Sequence, residues 1–189
     1  MNIYQNLQNF YDSPSFNGYD SHGEIKRFNI LNDYQFTSVL DVGSGPCFLK
    51  QWLSENEITC TYEAVDIRQD SLSLCNCSTY EEIPLSNSYE LVCIFETVSY
   101  NIDFDENKNK QIFIDLLTKS KQVASKYVIF SVFNENKKEE FFITNKDELV
   151  WFSPEEINSI LQSIGFNNYQ IIERNDLQAY CYYVVCNLL

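Results

Sequence analysis

Apolar residues along the 189-residue chain gather in short runs rich in β-branched and aromatic side chains. Residues 37–42 (TSVLDV), 61–67 (TYEAVDI), 90–95 (ELVCIF) and 126–133 (KYVIFSVF) read as strands, and two more follow at 169–173 and 179–186. Between several of them the spacing becomes helical. Phe48, Leu49, Trp52 and Leu53 share a face, as do Ile112, Phe113, Leu116 and Leu117 within residues 105–124. Ser153-Pro154-Glu155-Glu156 carries an N-cap, a proline at the first helical position and two acids in the first turn. That helix is expected to run to Ile164 and stop at Gly165.

Strands alternating with helices imply crossover connections and parallel pairing. The last two strands differ, because only RNDLQ separates them. So short a link makes a hairpin, which turns one late strand antiparallel. The expected fold is therefore α/β: a doubly wound, mainly parallel seven-stranded sheet with a C-terminal antiparallel hairpin and helices on both faces. The length suits a single domain spanning residues 1–189.

Composition narrows the partners. The formal net charge is −14, which repels phosphate backbones and argues against DNA and against general nucleic-acid binding. No apolar run approaches the length of a membrane span. The polar N-terminus MNIYQNLQNFYD and an odd count of 7 cysteines suggest reduced, mostly buried thiols in a cytoplasmic protein. Cys75 and Cys77 are the one close pair, and His22 is the lone histidine, so no metal site is expected.

The chemistry sits in SVLDVGSGPCFLKQWL, residues 38–53. In an open α/β sheet, ligands bind beyond the carboxyl ends of the strands. There the first strand ends in Asp41-Val42-Gly43-Ser44-Gly45, whose glycines permit a tight turn and close approach to a ligand. Asp66 ends the next strand, placed to accept hydrogen bonds from two ribose hydroxyls. Phe48 stands where a dinucleotide fingerprint requires glycine, and Asp41 stands where a pyrophosphate would lie. Both features favour a cationic nucleoside over NAD.

With these residues the chain resembles the class I S-adenosylmethionine-dependent methyltransferases. DVGSGPC matches that family's first motif except at Cys47, AVDI resembles its ribose-binding motif, and STYEEIPLSNSYELVCIFETVSYNI resembles its adenine-to-fourth-strand region. WFSPEEINSILQSIGF is similar to its late helix. Cysteine is small, so Cys47 is expected to fill the third glycine position structurally.

The resemblance implies S-adenosylmethionine as cofactor, with Asp41, Gly43, Ser44, Gly45, Asp66, Ile67, Thr79, Tyr80 and Phe95 around it. Ile67 is expected on the adenine face, and Thr79 or Tyr80 near the exocyclic amine, where the family's usual acid is missing. It further implies that residues 1–36 form an N-terminal helical cap, with Tyr11 and Tyr19 touching the acceptor. His22, Glu96 and Tyr100 are then the candidate catalytic residues, His22 or Glu96 serving as base for a hydroxyl acceptor. The activity so implied is methyl transfer to N or O of a small molecule. A protein or RNA methyltransferase, or a non-catalytic S-adenosylmethionine-binding module, are the alternatives.

Overall fold

The computed structural model describes residues 26–67, 75–97, 106–140, 149–174, 177 and 180–189. The described chain opens with a 3-10 helix, Lys26–Asp33. Then come β1 (Ser38–Val42), α1 (Phe48–Glu55), β2 (Thr61–Val65), β3 (Ser78–Tyr80), β4 (Tyr89–Phe95), α2 (Glu106–Val123) and β5 (Ala124–Asn134). A second 3-10 helix, Glu135–Glu140, precedes β6 (Trp151–Phe152), α3 (Pro154–Ile164), β7 (Tyr169–Ile172) and β8 (Cys181–Asn187).

The strands form one sheet in the order β3-β2-β1-β4-β5-β8-β7, with β6 attached to β5. β1 to β5 pair in parallel, and β8 runs antiparallel to both β5 and β7. The expected architecture is present. The continuous path has seven strands, and the eighth, β6, is two residues long, too short to leave a period in the sequence.

Alternation along each strand divides the core between the two faces. Leu40, Val42, Val92, Ile94, Phe130 and Val184 meet Phe113 and Leu117 of α2 and Ile157 and Leu161 of α3. Val39, Leu91, Cys93, Phe95, Ile129 and Tyr183 meet Leu49, Trp52 and Leu53 of α1 together with Phe28, Ile30 and Leu31. Helices thus cover both faces.

α3 begins as its sequence predicts. The Ser153 side chain accepts from the Glu156 N–H, and the Glu156 carboxylate accepts from the Ser153 N–H. It ends at Gly165 with φ 81°.

β1 pairs with β2 on one side and β4 on the other, so the chain's winding reverses at β1. The carboxyl ends of β1, β2 and β4 define the crevice where this architecture binds ligands.

Candidate functional site

The turn after β1 is built by backbone bonds to β2. The Gly43 and Ser44 N–H groups both donate to the Val65 carbonyl, at 2.7 and 3.1 Å. Gly43 has φ 73°, and a Cβ there would lie 2.3 Å from the Thr97 hydroxyl, so only glycine fits. Thr97 is fixed in turn by donating to the Val42 carbonyl at 2.7 Å. Gly45 has φ 50°, and its N–H donates to Asp66 Oδ2 at 2.8 Å. The turn and the second-strand carboxylate, 21 residues apart, therefore meet directly. The Ser44 hydroxyl is buried beside them and has no hydrogen-bond partner among the described residues.

Beneath the turn lies Asp41, also buried. It points to the α1 face of the sheet, where the Tyr62 hydroxyl donates to its Oδ2 at 2.7 Å. Burial pushes its carboxyl up to about 6, an effect that the Tyr62 bond and the Arg27 charge oppose. At neutral pH the site therefore holds a desolvated anion, suited to a cation and hostile to phosphate.

Ile67 is 45% exposed at the end of β2, an open apolar surface beside Asp66. Thr79 pairs with Ala64 and so lies on that residue's side of the sheet. Tyr80 lies on the opposite side, packed against the α2-side core with its hydroxyl accepting from Asn87 at 3.4 Å. Phe95 is buried in the α1-side core, edge-on to Phe28 with centroids 5.4 Å apart.

Glu96 follows β4 with φ 55°. Its carboxylate pairs with Arg27 at 3.3 Å and accepts from the Cys181 thiol at 3.8 Å. Burial raises its pKa, and Arg27 and Cys181 hold it back. His22, Tyr11, Tyr19 and Tyr100 lie outside the described residues. The start of the expected N-terminal cap does too; its described end, Lys26–Asp33, packs on α1 through the Phe28–Trp52 contact at 6.3 Å.

Cys47 departs from expectation. It caps α1 at its N-terminus with φ 61°, a left-handed backbone that glycine adopts far more readily than cysteine. It is not a free thiol: it forms a disulfide with Cys75, Cα to Cα 5.8 Å. The turn aims Cβ of residue 47 at the segment leading into β3, a proximity that a 28-residue sequence separation conceals. The sulfur atoms of Cys47, Cys75 and Cys77 all lie within 4.8 Å of one another. Tyr62, Arg27 and Thr97 carry no signal in the sequence, because their roles rest on contacts between separate elements.

No family model matches the sequence, and no curated protein matches it. Solved structures do match in three dimensions. A SAM-dependent methyltransferase of Archaeoglobus fulgidus superposes with a TM-score of 0.63 at 14% identity, covering 98% of this chain and 100% of its own. The fold is that of the S-adenosylmethionine-dependent methyltransferases. The pyocyanin biosynthetic protein PhzM gives a TM-score of 0.70 at 15% identity, over 99% of this chain and 62% of PhzM. A chain assigned as an O-methyltransferase from Nostoc punctiforme gives 0.66 at 15% identity, over 88% of this chain and 56% of its own. This methyltransferase-fold chain therefore spans little more than half the length of some of its structural neighbours and the whole of another.

Proposed function

We propose that the protein is an S-adenosylmethionine-dependent methyltransferase acting on N or O of a small molecule. The observation that carries the reading is the junction of the glycine turn with Asp66: the Gly45 N–H on the carboxylate, next to a buried Ser44 hydroxyl with no hydrogen-bond partner among the described residues. A nucleoside fits this junction. Asp66 has the chemistry to accept from a ribose diol, and Ser44 is free to bond a ligand. Asp41 supplies a buried negative charge for a cationic centre, and Ile67 an apolar face for a base. The missing Cβ at Gly43 keeps the turn narrow.

When bound, the cofactor supplies a methyl group activated by a positive sulfur. The protein then contributes alignment and exclusion of water, which suffice for a neutral amine acceptor. A hydroxyl acceptor needs a base, and that role falls to His22, because Glu96 is committed to Arg27. Tyr11, Tyr19 and Tyr100 are assigned to the acceptor, and Thr79 to the adenine edge. Tyr80 and Phe95, from opposite faces of the sheet, are also assigned to the cofactor. The fold shared with methyltransferases supports the reading, as does PhzM, whose role is biosynthesis of pyocyanin.

The test is transfer of labelled methyl from S-adenosylmethionine to low-molecular-weight metabolites, with calorimetric binding of S-adenosylhomocysteine in parallel. Label in a small molecule supports the enzyme. Binding without transfer to any fraction supports a non-catalytic module instead, and no binding overturns both.

A further inference from the structure

The disulfide at the turn has a third sulfur beside it. Cys47 and Cys75 are only 5% and 6% exposed, and neither is open to a reagent from solvent. Cys77 is half-buried, its thiol is free, and its sulfur lies within 4.8 Å of both. The bonded pair also touches the turn: the Cys75 sulfur lies 3.9 Å from the Gly45 carbonyl, the same residue whose N–H holds Asp66. Lys50 of α1 adds a second tie by donating to the Asn76 carbonyl. The three cysteines therefore link the motif proposed to hold the cofactor to the strand proposed to hold its adenine.

We propose that Cys47, Cys75 and Cys77 form a thiol–disulfide exchange site, entered at Cys77 by low-molecular-weight thiols and disulfides, whose oxidation state sets cofactor affinity. The coupling rests on the cofactor reading above; the exchange chemistry does not.

The exchange runs in balanced steps. The Cys77 thiolate attacks the Cys47 sulfur, forming Cys47–Cys77 and releasing Cys75 as a thiolate that takes a proton from water. An external thiol then attacks the Cys77 sulfur, giving a mixed disulfide and the Cys47 thiol. A second external thiol displaces Cys77. The net change is one protein disulfide and two small thiols converted to two protein thiols and one small disulfide, and oxidation is the reverse.

Burial raises the Cys77 pKa, with Asp41 and Glu63 adding to it and Lys50 opposing. Among the described residues, the Tyr62 hydroxyl is also coupled to this thiol. Exchange should therefore quicken as pH rises above neutrality, because thiolate is the attacking species.

The closed form should bind the cofactor more tightly. A non-glycine residue in left-handed backbone is unfavourable, and the cross-link removes the turn's freedom to leave it. The expected difference is roughly five- to thirtyfold in Kd, the equivalent of that backbone cost at one residue.

The experiment uses the full chain equilibrated with reduced and oxidised glutathione, quenched by alkylation and mapped by mass spectrometry. Oxidised protein should yield the Cys47–Cys75 cross-link, with a Cys77–glutathione adduct as the intermediate. In Cys77→Ser, reduction by glutathione should slow at least about tenfold, and Cys77→Ala should behave alike if its melting curve matches the parent. Reduction of both variants at the parent rate, or absence of the cross-link after equilibration with glutathione disulfide, would overturn the site. Calorimetry with S-adenosylhomocysteine on both forms reads the coupling. Tighter binding to the oxidised form supports it, and equal affinity refutes it. Failure to bind in either form, with exchange intact, overturns the cofactor reading and leaves the exchange site standing.

Discussion

Asp66 is the side chain on which the nucleoside reading turns. Loss of a charged hydrogen-bond acceptor for buried hydroxyls typically costs about 1.5–3 kcal/mol. Asp66→Ala should weaken S-adenosylhomocysteine binding about tenfold to a hundredfold while the protein stays folded; unchanged affinity in calorimetry rejects the ribose role. Asp41 makes a different prediction, in pH. Its folded pKa, about 6, stands above the ordinary value of 3.8, so the folded state binds the proton more tightly. The protonated form favours folding, and that contribution is present at low pH and lost as pH rises from about 4 through about 6. Asp41→Asn keeps an acceptor for Tyr62 without the charge. Its stability relative to the parent should rise across that window and level off above it, as read from thermal melts of the ligand-free protein at pH 4 to 7. A flat difference would mean that Asp41 is not held in a desolvated site.

The elements around the site depend on their junctions. Gly43 is confined by its positive φ and by Thr97, so Gly43→Ala should destabilise the fold by about 1–3 kcal/mol in urea unfolding. Adding Thr97→Ala should recover part of that loss, because it relieves the contact but not the backbone strain; no recovery would place the whole cost in φ. At α3 the N-cap, the first-position proline and the two acids were legible in four consecutive residues, since a cap is a local device; the return bond from Glu156 came with the fold. Ser153→Ala should cost about 1 kcal/mol by the same measurement. The α1 cap was not legible. Residue 47 is a cysteine in a glycine conformation, and its partner arrives from the far side of β2.

The surface of the whole molecule carries a formal charge of −14, and its basic residues are interrupted: Lys137 and Lys138 are followed at once by Glu139 and Glu140. Duplex DNA and RNA should bind no better than non-specific partners, with Kd of about 10⁻⁴–10⁻⁶ M by fluorescence anisotropy at physiological salt. Submicromolar affinity would overturn the small-molecule assignment. No helix among the described residues is long and apolar enough to cross a membrane.

The alternation of strands and helices, the closing hairpin, the glycine turn and the acid at the end of β2 were all legible along the chain. Each is written in a local period, a cap or a turn, where the physics acts over a few residues. What those pieces meet was set by the packing of the folded chain. Arg27 reaches Glu96 across 69 residues and takes a candidate base out of free use; Tyr62 finds Asp41 because β1 and β2 pair in one register. Cys47 finds Cys75 because the turn after β1 and the segment before β3 both pack over Ala64 of β2. Such contacts are set by strand order and chain reversal, which bring distant residues within bonding distance and leave no period in the sequence.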